Sequence, residues 1–274
     1  MPINFETLPL REIRKGRALA WDPHAIDLSQ DRADWIALPR DEQQFLIAQI
    51  VGFLIGERGV THDLAPLQQA LRQERGRMEE EMYLTQQLFE ESTHVEFFQR
   101  WINEVLPEKG ERVPPPPPDK GRYFSEILPE AMGALREDTS PEAQMRATVT
   151  YHQLVEGVLA EVGYEIFYSC LDTRGIMPGL RQGLRQIQQD EARHIAFGTY
   201  LAQRLISEHP SLAEVFDTEM EKLHQETVDT ARDFFYRFDN RAPFGLTPDR
   251  FVDLAETLFQ RRKKSVLKGH LTEA

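Results

Sequence analysis

Cysteine is nearly missing from this chain. Cys170 is the single one in 274 residues, which excludes a disulfide framework and argues against a thiolate-bound zinc or iron–sulfur site. Its neighbours Tyr168 and Leu171 suit a small, buried, apolar side chain. Long apolar runs are missing too: no stretch approaches about 20 uncharged residues, so no membrane-spanning helix is expected. Met1 to Leu10 carries no basic-then-apolar leader, and the expectation is a soluble, cytoplasmic protein. Alternation with period two is absent throughout, so strands are not expected and the fold class reads as all-α. Positive charge is short, with 32 Lys and Arg against 45 Asp and Glu and a net charge of −13. A nucleic-acid partner is not expected, since phosphate binding needs a basic face. What is present is a 41% apolar fraction, enough for one sizeable core.

Proline and glycine divide the chain. Residues 1–39 read as an extended N-terminal arm with short turns at Asp22-Pro23, Asp27-Leu28-Ser29 and Leu38-Pro39. Helical spacing runs from about Arg40 to Leu71, with Pro66 placed to bend or end it, and again from about Met78 to Val105. Gly110 and Pro114 to Pro118 stop that second helix, so 108–121 is expected to be a Pro-rich crossover. A short helix around Tyr123 to Leu135 follows. Ser140-Pro141-Glu142 then starts a third long helix, reaching about Leu171, and a fourth runs from near Pro178 to about Ile206. Residues 211–237 and 248–267 should form two charged, amphipathic helices on the outside, within one domain spanning 1–274.

Two of these helices carry the same phrase. Glu91-Ser92-Thr93-His94 is repeated one hundred residues later as Glu191-Ala192-Arg193-His194. Each sets a carboxylate and an imidazole three residues apart, one turn up the same helix face. Each also follows a Glu in another helix, Glu57 by 34 residues and Glu156 by 35. One Glu from each of two helices and Glu-x-x-His from two others form the ligand set of a carboxylate-bridged dinuclear iron or manganese site in a ferritin-like bundle. Such a ligand set, with open positions, suits dioxygen activation better than structural zinc. A dication pair also gives local meaning to the acidic balance. The crossover is therefore a connection and not a domain boundary, since neither half holds a full ligand set.

The remaining candidates are weaker. Glu221-x-x-His224 is a third copy, but charge surrounds it on the helix and it reads as a solvated face. Glu90 is the alternative to Glu91 as ligand, at the cost of breaking the match to Glu191 and His194. His152 is expected to make a structural hydrogen bond, and Glu161 and Glu165 to make surface or interhelical pairs. His24, His62, His209 and His270 take no role.

The stretch from Trp21-Asp22-Pro23-His24 to Trp35-Ile36-Ala37-Leu38-Pro39 resembles the N-terminal signature of ribonucleotide reductase small subunits, and Asp190 before Glu191 fits that superfamily. The likeness covers about residues 18–205. It implies that Trp21 and Asp190 link the metal site, through His94, to the surface. Against a working reductase subunit, Phe98 stands where the common class has its radical tyrosine. The 80 residues after His194 are also short for a docking tail, and Lys264 to Ala274 contains no Tyr. A sister family, the ligand-binding oxidases similar to the reductase small subunit, fits better. It shares the six ligands and two further residues, Val60 three after Glu57 and Tyr151 five before Glu156.

That resemblance implies one Mn at Glu57, Glu91 and His94 and one Fe at Glu156, Glu191 and His194, with Fe/Fe as the alternative loading. It further implies an ether cross-link between Val60 and Tyr151, dioxygen as oxidant, a long-chain fatty acid as ligand and a homodimer. Phe53, Phe89, Phe97, Phe98, Phe167 and Phe197 offer apolar surface for such a ligand. A Mn/Fe reductase small subunit is the second reading and a ferritin-like metal store the third.

Overall fold

The computed structural model describes residues 3–106, 122–236, 238 and 243–268. The expected crossover at 108–121 lies outside the described residues. Among those described there is no strand, and the chain is an all-α, ferritin-like bundle with two added layers. No helix among them is long and apolar enough to cross a membrane.

The N-terminal stretch is not an extended arm. It forms α1 (Leu8–Leu19), a short 3-10 turn (Pro23–Ala25) and α2 (Ser29–Ala37). Pro9 lies in the first turn of α1, where a missing N–H costs nothing, and Leu10, Ile13 and Gly16 turn inward one helical turn apart. Asp27 accepts from the backbone N–H of Ser29 at 2.9 Å to start α2. From α2, Asp31 reaches across the fold and accepts from Gly179 N (2.8 Å), Leu180 N (2.7 Å) and Trp101 Nε1 (2.9 Å). It thereby caps the first turn of a helix almost 150 residues away. These helices are short and polar on their outer faces, so their periodicity is too brief to stand out in the sequence.

The bundle itself is α3 (Arg40–Asp63), α5 (Met78–Val105), a composite third helix and α9 (Pro178–Glu208). Pro66 restarts the chain as α4 (Ala65–Gln73) after α3 ends. Three consecutive acids, Glu79 to Glu81, suit the positive end of α5. Its C-terminal neighbour Leu106 is extended, the conformation a following proline favours. The 123–135 segment becomes a π turn (Tyr123–Ile127), α6 (Leu128–Gly133) and a 3-10 turn (Ala134–Arg136).

The composite helix runs as α7 (Pro141–Thr148), twelve π-helical residues (Val149–Ala160) and α8 (Glu161–Leu171). Ser140 caps it through its hydroxyl, accepting from Ala143 N at 3.3 Å. A π stretch of that length is rare and marks a place where local helix geometry yields to side-chain placement. It can sit close to α9 because Gly198 leaves room. A Cβ at Gly198 would lie 2.1 Å from the Cβ of His152. Gly198→Ala is therefore expected to destabilise the protein by roughly 1–3 kcal/mol through overpacking, outweighing the ~1 kcal/mol that alanine gains over glycine in a helix. A lower denaturation midpoint checks this, and an unchanged one refutes it.

α10 (Leu212–Tyr236) and α11 (Pro248–Leu267) pack on each other and on the π-helical stretch. Their inner faces bury Phe216, Met220, Phe235, Phe251 and Phe259. His224 bonds Glu256 at 2.7 Å and Glu221 pairs with Lys263 at 2.5 Å. The third Glu-x-x-His thus lies on the surface as expected, with both side chains paired to α11. Glu165 pairs with Arg250 between helices, and Gln188 donates to Glu161 at 3.4 Å.

Candidate metal centre

Four helical segments deliver the six residues with matched spacing to one buried point. Glu57 comes from α3, Glu91 and His94 from α5, Glu156 from the π-helical stretch, and Glu191 and His194 from α9. None is more than 6% exposed. They form two overlapping groups, Glu57, Glu91, His94 and Glu191, then Glu91, Glu156, Glu191 and His194. Within each group one ligand atom per residue lies within 4.8 Å of the others. Glu91 and Glu191 belong to both, the position of a bridging carboxylate.

The imidazoles are aimed. Nδ1 of His94 lies 3.3 Å from Glu57 Oε2 and 3.5 Å from Glu191 Oε1. Nδ1 of His194 lies 3.2 Å from Glu91 Oε1 and 3.5 Å from Glu156 Oε1. Their far nitrogens point outward to acids. His94 Nε2 meets Asp190 Oδ2 at 3.2 Å, and His194 Nε2 meets Glu90 Oε2 at 2.8 Å. A proton held on Nε2 by a carboxylate leaves the Nδ1 lone pair facing the cluster, as a metal ligand requires.

Glu90 is accordingly not a ligand substitute but the counterpart of Asp190. Each acid immediately precedes a cluster Glu, and each serves the histidine of the other helix. Arg193 donates to both, to Glu90 Oε1 at 2.7 Å and to Asp190 Oδ1. The shared offset was legible as Glu90-Glu91 against Asp190-Glu191. Only knowledge of which helices face each other assigns the crossing. Trp21 donates to Asp190 Oδ2 at 2.8 Å and lies nearly parallel to the His94 ring, 6.4 Å away. Glu90→Ala is expected to weaken metal binding by about 10–100-fold. Competition with a chromophoric chelator reads this out, and unchanged affinity would remove Glu90 from the site.

The charge balance calls for cations. Burial, with repulsion from Glu91 and Glu191, pushes Glu57 well above the usual carboxylate range. Burial and the neighbouring carboxylates push Glu156 up to about 8, and Glu191 also rises. Glu91 is buried as deeply but is pulled down by the two adjacent imidazoles, His194 and His94. Glu91 Oε2, Glu156 Oε2, Glu191 Oε2 and His194 Nδ1 are buried with no hydrogen-bond partner. Two dications would offset four carboxylates and give these four cluster atoms a partner. A set of oxygen and imidazole donors without sulfur suits Mn and Fe.

Tyr151 and Val60 are both buried. The Tyr151 hydroxyl donates to Glu91 Oε1 at 2.8 Å. Gln87, which sequence reasoning passed over, donates from Nε2 to Tyr151 Oη at 3.0 Å and to Glu156 Oε1 at 2.9 Å. The π geometry explains the alignment: i→i+5 closure brings Tyr151 and Glu156, five apart, onto one face. In an α-helix they would diverge by about 140°.

Other expectations need correction. His152 makes no structural hydrogen bond, and neither ring nitrogen has a partner among the described residues. It packs edge-on against Tyr151 and Phe197, and burial drops its pKa to about 3, keeping it neutral. Phe89 is 63% exposed and stands in a surface cleft with Trp21, Glu90 and Asp190. Phe97, Phe98, Phe167 and Phe197 are fully buried, and Phe53 packs against Phe98 and Phe167 at 5.6 and 5.3 Å.

Residues 10–253 match the family model of the ribonucleotide reductase small chain. The R2-like ligand-binding oxidase from Sulfolobus acidocaldarius is 35% identical, with a TM-score of 0.85 over 97% of this chain and 92% of that one. An R2-like ligand-binding oxidase with aerobically reconstituted Mn/Fe cofactor is 32% identical, with a TM-score of 0.87 over 96% and 94%. Another, with an aerobically reconstituted metal cofactor after photoconversion, is 33% identical, with a TM-score of 0.89 over 96% and 95%. Likeness of this extent reaches every helix that carries a cluster residue, and the chain belongs to the ribonucleotide reductase small-chain family, among its R2-like ligand-binding oxidases.

Proposed function

We propose that this chain is a dioxygen-activating oxidase that holds one Mn at Glu57, Glu91 and His94 and one Fe at Glu156, Glu191 and His194, with Glu91 and Glu191 shared. We assign it an ether cross-link between Val60 and Tyr151, a long-chain fatty acid as bound ligand, and a cytoplasmic, homodimeric state. The observation that carries the reading is the Tyr151 hydroxyl, 2.8 Å from a carboxylate common to both halves of the cluster.

When bound, the metal pair supplies dioxygen activation and two of the four electrons that reduce dioxygen to two water molecules. Ether closure supplies the other two. It breaks the Val60 Cβ–H and Tyr151 O–H bonds, forms one C–O bond, and releases two protons and two electrons. Solvent provides the remaining two protons. Burial and the surrounding carboxylates hold the Tyr151 pKa well above that of a free phenol, so it enters the step protonated. Its proton then leaves together with the electron, and Glu91 Oε1 is the acceptor in place. The imidazoles stay fixed by Glu90 and Asp190, while Phe97, Phe98 and Phe167 keep water out. The apolar wall built by Phe53, Phe98 and Phe167 supports an alkyl-chain ligand.

The test loads metal-free protein with Mn(II) and Fe(II), admits air, and maps the peptides by mass spectrometry. The expected product joins the Val60 and Tyr151 peptides with loss of two hydrogens. Separate peptides, in protein that contains both metals and has consumed dioxygen, would overturn the reading.

A further inference from the structure

Three phenols are buried close enough to the cluster to feel its carboxylates: Tyr83, Tyr151 and Tyr164. All three have their ionisation suppressed by burial, so acidity does not separate them. Hydrogen bonding does. The hydroxyls of Tyr83 and Tyr164 have no partner among the described residues, whereas that of Tyr151 is held from two sides.

We infer that Gln87 is a positioning residue that selects Tyr151 as the phenol to be oxidised and fixes where its hydrogen points. The orientation of the amide follows from its second contact. Glu156 Oε1 lies 2.9 Å from Nε2, and an amide oxygen turned to that carboxylate would be repelled. Nε2 therefore faces both Glu156 and Tyr151, and the phenol oxygen must accept from it. The phenol hydrogen is left one direction, toward Glu91 Oε1. Gln87 thus orders a chain of Glu156, Gln87, Tyr151 and Glu91, which ties the phenol to the shared carboxylate and to Glu156. Gln87 stands one turn before Glu91 on α5 and is fully buried, so the helix that carries the shared carboxylate also carries the clamp. Among the described residues neither of the other two phenols has such a donor.

The inference rests on the cross-linking reading, and its test separates the two. Wild type, Gln87→Leu and Gln87→Glu are each loaded with Mn(II) and Fe(II) and exposed to air. Metal content, dioxygen consumed, cross-link yield and oxidation of the Tyr83 and Tyr164 peptides are then measured. Gln87→Leu keeps the volume but has no donor. The Gln87→Glu side chain, protonated beside Glu156, can serve only one of the two acceptors. With metal content and dioxygen uptake preserved, cross-link yield is expected to fall at least about tenfold in Gln87→Leu and less in Gln87→Glu, the scale set by loss of reactant alignment. Oxidation at Tyr83 or Tyr164 should rise in step. Wild-type cross-linking with unchanged yield in both variants would overturn the role of Gln87 and leave the oxidase reading intact. Loss of metal or dioxygen uptake in both variants, in parallel with the cross-link, would make Gln87 a structural support and overturn the selection. Absence of the cross-link in loaded wild type would remove the reading and this inference together.

Discussion

Tyr151→Phe is expected to eliminate the joined peptide completely while leaving both metals in place. The hydroxyl is the only oxygen the ether can use, so the effect is all or none. Tyr151 lies outside the six-residue cluster, so metal content should not fall. The substitution does leave Gln87 without one acceptor and Glu91 without one donor, at a cost of about 1–3 kcal/mol for buried groups losing a partner. A modest drop in melting temperature is therefore expected beside an intact Mn and Fe content, and metal analysis with peptide mapping checks both. A Val60 peptide still joined to another tyrosine in Tyr151→Phe would show that the phenol is not specified by this geometry.

The second large effect concerns metal removal, and its size should depend on pH. In metal-free protein the raised Glu156 carboxyl titrates near 8, against about 4.5 when unfolded. A group raised on folding contributes stability that is full below its unfolded value and is lost as pH climbs through its folded value. Metal-free protein should therefore lose stability between pH 4.5 and 8, and Glu57 and Glu191 shift in the same direction. Metals need these carboxylates ionised, so their binding releases protons and strengthens over the same window. With metal at about 1,000 times its dissociation constant the gain is about 4 kcal/mol, roughly 8–16 °C in melting temperature for a chain of this size. Thermal melts with and without a chelator should show the gap widening from pH 5.5 to pH 8. A gap that narrows would mean that the cluster is ionised without its metals.

Where sequence reading succeeded, a strong local signal coincided with the tertiary arrangement. The α5 boundaries were legible because helical apolar spacing runs from about Met78 to Val105 and Gly110 with Pro114 to Pro118 ends the pattern. The six cluster residues were legible because Glu-x-x-His repeats with a matched Glu upstream of each copy. α1 and α2 were missed because each depends on contacts far along the chain, such as Asp31 with Gly179 and Leu180. The π geometry of 149–160 has no signature of its own, since the same apolar residues serve an α-helix equally well. Glu90 and Gln87 lay in plain view beside Glu91, but their partners, His194 and Glu156, are 104 and 69 residues away. No local rule connects them.

The crossed pairing of Glu90 with His194 and of Asp190 with His94 bears on the order of assembly. Each histidine takes its orientation from the opposite half of the chain, across separations of 104 and 96 residues. Closing loops that long is among the late, entropically costly steps of folding. Neither half can present a finished coordination sphere during synthesis, so the metals cannot act as a nucleus in the way that zinc does for a small finger. The bundle must first close around four carboxylates on the strength of its apolar contacts, and only then is the full coordination set in place for loading. A cell short of manganese or iron would accordingly accumulate folded protein waiting for metal rather than unfolded chains.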